Sequence, residues 1–293
     1  MTRMPVTLVT GTSTGIGFAT ALYLAKHGHT VVATMRSLAK AGPLETAARD
    51  QGARLVVREL DVTSQASIDR ALAATRETEG AIDVLVNNAG IGGATPLELT
   101  AEAEHRAMFE TNYWGPIRMI QVVLPSMRER RSGCIVNVTS IAGRIAIPNQ
   151  IAYSASKHAL AAASEALAHE VAAFGVRVAI IEPGVIQTAL FENSASATRY
   201  DKTSPYRQIM RRNGKFFAAG FRNPGQPETV AEAIFEAITT NRPRLRYLVG
   251  VDAEGLAAGR ARLSDEEWVA MGGELSDEDY NQRFKRYFGI ELR

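Results

Sequence analysis

A glycine turn close to the start of the chain most constrains what it can fold into. Val6 to Thr10 is a short apolar run, followed directly by Gly11-Thr12-Ser13-Thr14-Gly15-Ile16-Gly17. The next stretch, rich in alanine and leucine up to His27 and Gly28, reads as a helix. A strand feeding a helix through such a turn starts a parallel α/β sheet. The same arrangement aims backbone N–H groups at a helix N-terminus, where a pyrophosphate is stabilised. Gly11 allows the turn, and Gly15 and Gly17 let backbone and phosphate approach. A glycine trio is a weak signal alone; its place after a first strand makes a nucleotide site the better reading.

Strand and helix then keep alternating. Thr30 to Met35 reads as a strand, Leu44 to Asp50 as a helix, Arg54 to Leu60 as a strand, and Gln65 to Thr78 as a helix capped by Thr63 or Ser64. Ile82 to Val86 closes on Asn87-Asn88-Ala89-Gly90. A long helix pattern covers Ala101 to Arg130, and the strand Gly133 to Thr139 follows. An alanine-rich helix runs from Ser154 to Phe174 and is ended by Gly175. The strand Val176 to Ile181 leads into Glu182-Pro183-Gly184; the helix Gln226 to Thr240 and the strand Arg244 to Val251 complete the series. The pattern predicts a doubly wound parallel sheet of about seven strands, with helices on both faces, in a single domain. Residues 185–225, with scattered aromatics and no strong period, read as a substrate-covering loop. Residues 252–293 form a C-terminal extension, with short helices opened by Ser264-Asp265 and Ser276-Asp277.

Three side chains point to chemistry. Tyr153 and Lys157 lie four apart, on one helix face, and Ser140 ends the apolar run before them. A phenol ionises near pH 10, too high for a good base near neutrality. An ammonium beside it should lower that value. Such a tyrosine can exchange a proton with an alcohol or carbonyl oxygen held by the serine hydroxyl. No residue here carries hydride, so the redox half needs a cofactor. The second strand ends Thr34-Met35-Arg36, with no carboxylate for a ribose 2′-hydroxyl. Arg36 suits a 2′-phosphate, with the hydroxyls of Thr12, Ser13 and Thr14 as further candidates, which favours NADP(H) over NAD(H). In the long helix, Pro116 removes the partner of the Asn112 carbonyl, leaving it free to bind water or an ammonium, or simply bending the helix.

A net charge of +2 over 293 residues argues against an electrostatically held nucleic acid. The basic runs Arg128 to Arg131 and Arg207 to Lys215 read as solvated faces. The lone Cys134 excludes an internal disulfide and a multi-cysteine metal site. No stretch approaches the ~18 apolar residues of a membrane span, and a soluble, cytoplasmic protein is expected.

Taken together, TGTSTGIG (Thr10 to Gly17), NNAG (Asn87 to Gly90), Asn112, Ser140, YSASK (Tyr153 to Lys157) and PG (Pro183-Gly184) resemble the short-chain dehydrogenase/reductase family. The likeness spans Val6 to about Val251, and VVATMR with the long tail is most similar to the 17β-hydroxysteroid and retinol dehydrogenase branch. It implies Tyr153 as acid/base, Ser140 on the substrate oxygen, and Lys157 on the nicotinamide ribose, tuning the tyrosine. It implies a water relay at the kinked helix of Asn112. Asp61, with Val62, would meet the adenine amine, and the NNAG turn the adenosine ribose. Thr188 would lie near the nicotinamide amide, beyond Pro183, Gly184 and Val185. The alanine-rich helix and the long kinked one resemble the pair through which members form homodimers or homotetramers. The implied activity is NADP(H)-dependent interconversion of an apolar ketone and a secondary alcohol. The alternatives are the same chemistry with NAD(H), a nucleotide-binding redox regulator without turnover, and nucleotide-sugar chemistry, which the glycine spacing disfavours.

Overall fold

The computed structural model of the protein describes residues 3–188, 202–273 and 276–292. Seven strands make one parallel sheet in the order β3-β2-β1-β4-β5-β6-β7. They are β1 (Val6–Thr10), β2 (Thr30–Met35), β3 (Leu55–Glu59), β4 (Val84–Asn87), β5 (Gly133–Val138), β6 (Val176–Pro183) and β7 (Arg246–Val249). The order reverses between β1 and β4, so the C-terminal ends of these two strands open a crevice, the usual ligand position in such sheets.

Alternate side chains of each strand enter different cores, as a period of two requires. Val9, Val31, Ala33, Val86, Val136 and Ile181 pack under α1 (Gly15–Lys26), α2 (Gly42–Asp50) and the helix Pro227–Thr239. Leu8, Val32, Leu85 and Ile135 pack under α3 (Gln65–Thr78) and the helix Gly115–Arg130. The predicted parallel sheet with two helical layers is therefore observed. Ser64 caps α3 by accepting from the Ser67 N–H at 3.3 Å.

The long helix is broken where Pro116 suggested. It comprises α4 (Glu102–Phe109), a π turn over Glu110–Trp114, and α5 (Gly115–Arg130). Pro116 stands in the first turn of α5, directly after the π turn, and has no N–H to donate back into it. The alanine-rich helix, α6, spans Ile151–Val171, and Gly175 ends the following single turn in the left-handed region, φ 68°.

The reading of residues 185–225 as loop needs correction. Arg207–Phe221 is a 15-residue helix, α7. Its face is apolar only every third or fourth residue, and its four basic residues masked the period. The part of the covering segment in residues 189–201 lies outside the described residues. The base of the segment is closed by a short bridge, with Gln187 N–H donating to Gly225 O and Gly225 N–H to Val185 O, both at 2.9 Å. The basic run is not wholly solvated either. Arg212 is 2% exposed, stacked 4.3 Å from the Tyr280 ring.

After α8 (Pro227–Thr239) and β7 comes a helix the sequence reading lacked, α9 (Val251–Arg262). The two expected Ser-capped helices follow, α10 (Asp265–Ala270) and α11 (Asp277–Phe288). Ser264 and Glu267 form a reciprocal capping box. The extension has its own core, in which Leu256, Leu263, Tyr280, Phe284 and Phe288 meet Ile141, Ile145 and Phe216. It thereby roofs the end of β5 and braces α7. Among the described residues no helix is long and apolar enough to cross a membrane.

Candidate active site

A cavity of about 1140 Å³ runs along the C-terminal edge of the sheet, from Arg36 to Phe221. All the residues proposed from sequence line it except Thr12, Gly17, Asn87 and Asn112.

At one end lies the glycine turn. Gly15 has φ 61°, and a Cβ there would lie 3.0 Å from the Thr188 methyl. The turn thus leaves room for an atom group only while residue 15 lacks a side chain. Gly17 has another role than the one expected. A Cβ on it would lie 2.3 Å from the Gly11 carbonyl oxygen and 2.4 Å from the Asn88 amide, so it seats α1 on the turn rather than admitting a phosphate. Thr12 is also displaced from its expected role. It is fully buried, and its hydroxyl donates to the Thr34 carbonyl at 3.1 Å, so it ties β1 to β2 and cannot reach a 2′-phosphate. Ser13 and Thr14 do line the cavity.

Arg36 is exposed and lines the cavity, as does Lys40, which the sequence reading missed. Lys40 ends a single turn over Leu38–Lys40. Across from them, Asp61 accepts from the Thr63 N–H at 2.9 Å and the Thr63 hydroxyl at 2.8 Å. Val62 forms part of this wall.

The NNAG turn divides its work. Asn88 lines the cavity and donates to the carbonyls of Thr10 and Gly11 at 2.9 and 3.1 Å, holding the end of β1. Ala89 and Gly90 line it too. Asn87 faces the other way: it is 2% exposed and donates to Asn137 Oδ1, which couples β4 to β5. Asn112 is buried completely and does not reach the cavity. Its Oδ1 accepts from the Ile91 N–H and its Nδ2 donates to the Ile91 carbonyl, both at 2.9 Å, and to Ser156 Oγ at 3.0 Å. The Asn112 side chain is therefore a positioning group, joining the loop after β4 to α6.

Ser140, Tyr153 and Lys157 converge in the middle of the cavity. Ser140 follows β5, and its Oγ accepts from the Ala142 N–H at 3.1 Å. Lys157 Nζ lies 5.8 Å from the centre of the Tyr153 ring and donates to the Val138 carbonyl at 3.0 Å. Burial pushes the Lys157 ammonium down to about 8. Burial also raises the Tyr153 phenol above its ordinary value, and the Ser140 hydroxyl beside it pulls the other way. The expected lowering of the phenol by its cationic neighbour is thus not found in this structure. The ammonium reaches a backbone carbonyl at the end of β5, and removal from water dominates the phenol.

Pro183, Gly184 and Val185 form the far wall. Asp252, in the first turn of α9, holds them: its carboxylate accepts from the Val185 N–H at 2.6 Å and fills the space above Gly184. Burial raises the Asp252 carboxyl, opposed by its N–H donors. Sequence reading missed this residue because it took 252 onward as a separate extension. Beyond Tyr153 the wall turns apolar, with Ile141, Ile147, Met210, Phe216 and Phe217.

A nucleotide cradle at a β1–β4 crevice, joined to a Ser-Tyr-Lys cluster and an apolar recess, defines a nicotinamide-dependent oxidoreductase. The chain belongs to the short chain dehydrogenase family, whose model matches residues 5–199, and it is an NAD(P)-dependent oxidoreductase of CH–OH groups. It is 36% identical over 245 residues to 3-ketodihydrosphingosine reductase of Bacteroides thetaiotaomicron, covering 84% of this chain and 87% of the relative. It is 38% identical over 252 residues to retinol dehydrogenase 8 of Bos taurus, covering 82% and 79%. Among solved structures, a short-chain dehydrogenase from Streptomyces avermitilis superposes with a TM-score of 0.80 at 38% identity, covering 93% of this chain and 99% of that one.

Proposed function

We propose that the protein interconverts an apolar ketone and its secondary alcohol with NADP(H), using Tyr153 as the acid/base. The observation that carries this reading is one continuous cavity. It joins the glycine turn, the Ser140–Tyr153–Lys157 cluster and the apolar wall of Ile147, Met210 and Phe217. A bound nicotinamide supplies or accepts the hydride. Backbone N–H groups of the turn, with Ser13 and Thr14, would hold the pyrophosphate. Lys157 would take the nicotinamide ribose and Thr188 the amide, as the family resemblance implies. Arg36 and Lys40 supply two cations for a 2′-phosphate, which supports NADP(H) over NAD(H).

In reduction, Tyr153 gives its proton to the substrate oxygen held by Ser140. Burial keeps the phenol protonated near neutrality, the form a proton donor needs. The apolar wall suits a bulky hydrocarbon body, in line with the lipid-like substrates named for the two relatives. Assembly as a homodimer or homotetramer through α4–α5 and α6, and a cytoplasmic location, belong to the same proposal. The test is a screen of steroid, retinoid and simple aryl ketones, followed by loss of NADPH absorbance, with NADPH and NADH titrated in parallel. Turnover of an apolar ketone with tighter NADPH than NADH binding is expected. Equal affinities, or no turnover of any ketone, would contradict the proposal.

A further inference from the structure

Two carboxylates stand where β6 and β7 end, in different company. Glu182, the residue before the last of β6, is fully buried and paired with Arg246 at 2.7 Å. Asp252, in the first turn of α9, is half-buried, and no lysine, arginine or histidine among the described residues pairs with it. It is held by N–H groups alone. Val185 donates to its Oδ2 at 2.6 Å, and the backbone N–H groups of Ala253 and of Asp252 itself add to this. Donors of this kind favour the ionised form.

The chain makes room for that charge. A Cβ on Gly184 would run into both carboxylate oxygens, and one on Gly250 would lie 2.7 Å from Oδ1. Gly250 also stands at φ 109°, a backbone that favours glycine. Drawing a carboxylate out of water costs free energy unless a positive group offsets it. Two strand ends cleared for a carboxylate without a counterion are more than a structural tie requires.

The missing positive charge belongs on the other side of the wall. Pro183, Gly184 and Val185 line the cavity, Ser140 follows the neighbouring strand β5, and Thr188 meets the glycine turn at Gly15. A nicotinamide anchored by that turn has to reach a substrate oxygen held by Ser140 and Tyr153, so this wall bounds its place. The oxidised ring is a cation and the reduced ring is neutral, while the phosphates are the same in both. A fixed charge behind the wall therefore acts on one redox form more than on the other.

Resting on the oxidoreductase reading, we propose that Asp252 tunes the bound cofactor, its charge favouring the oxidised nicotinamide over the reduced one through the Gly184–Val185 wall. In reduction the ketone carbon takes the hydride, with its electron pair, and the oxygen takes the Tyr153 proton, which leaves the ring cationic. Asp252 stabilises that side of the exchange and makes bound NADPH the stronger hydride donor.

Fluorescence titrations with NADP+ and with NADPH test this in wild type and in Asp252→Asn, which keeps the size and the acceptor for Val185 and removes the charge. The ratio of the two affinities should shift toward NADPH by about fivefold, as expected for losing one nearby opposite charge. Asp252→Ser, smaller and still an acceptor, takes its place if the asparagine variant does not fold. A role confined to holding the wall would weaken both nucleotides alike, so an unchanged ratio in a folded variant overturns the inference. Wild type should itself bind NADP+ at least as tightly as NADPH, and a clear preference for NADPH overturns the inference even if neither variant folds. Binding of both nucleotides with an unchanged ratio removes this inference alone, whereas binding of neither removes the oxidoreductase proposal with it.

Discussion

The two ends of the cavity are built in opposite ways. The nucleotide end is made by backbone: a turn whose glycines are fixed by φ and by sub-3 Å approaches, set on β1, β2 and β4. The far end is made by side chains from segments distant in sequence, namely the Ser140–Gln150 stretch, α7 and the extension behind it. Backbone demands admit few residues, so they leave a readable signature. Side-chain walls admit many, so they set specificity without leaving one. The first end should therefore be intolerant of small changes and indifferent to substrate, and the second the reverse.

Four variants probe that contrast, the first three taken from the largest effect on binding down. Gly17→Ala places a methyl 2.3 Å from the Gly11 carbonyl. Forced packing of this kind costs about 1–3 kcal/mol, and nucleotide affinity should fall by about a hundredfold, read by fluorescence titration of NADPH. Near-normal affinity would break the contrast at its strongest point. Arg36→Ala/Lys40→Ala should weaken NADPH by about tenfold or more and leave NADH unchanged, since each charge-assisted bond is worth about 1.5–3 kcal/mol.

At the other end, Asp277 pairs with Arg211 at 2.6 Å, Arg212 at 3.3 Å and Lys215 at 3.9 Å, tying α11 to α7. Burial alone would raise its carboxyl, but the two guanidiniums outweigh that and hold it below the usual range. Asp277→Asn should raise KM for the ketone by about threefold and leave NADPH affinity unchanged. The melting temperature should drop by roughly 2–4 °C, the shift expected for about 1 kcal/mol in a large domain. A change in NADPH affinity would show that the two ends are not separable.

The fourth probe is read in the pH dependence of stability. Lys157 ionises near 8 folded and near 10.5 unfolded. Between those values the unfolded chain binds the proton the folded chain has released, so this group makes stability rise with pH. Chemical denaturation across that window should show a flatter profile in Lys157→Met than in wild type. Parallel profiles would mean that the ammonium is not desolvated.

How much could be read from the sequence follows the same division. β1, β2 and α3 fall on the predicted residues, because apolar runs, a capping serine and glycine turns are local signals. Ser13, Gly15, Arg36, Ser140, Tyr153 and Lys157 reach the cavity as expected. Asn87 and Asn112 belong to the motifs yet point into the protein, where they hold the strands and α6 that shape the cavity. A motif names residues without saying which of them face the ligand. Helix α7 was hidden by its arginines, whose partner Asp277 lies some 65 residues away in sequence. Lys40 carried a faint signal, a second cation four residues after Arg36. Asp252 carried none, because its role arises only when distant segments meet.

The central claim is that one phenol carries the proton. Tyr153→Phe removes a single oxygen and keeps the ring, so it separates chemistry from packing. NADPH-dependent ketone reduction should be lost by several orders of magnitude while NADPH binding stays within about twofold of wild type. Turnover surviving in that variant at a comparable rate would contradict the account.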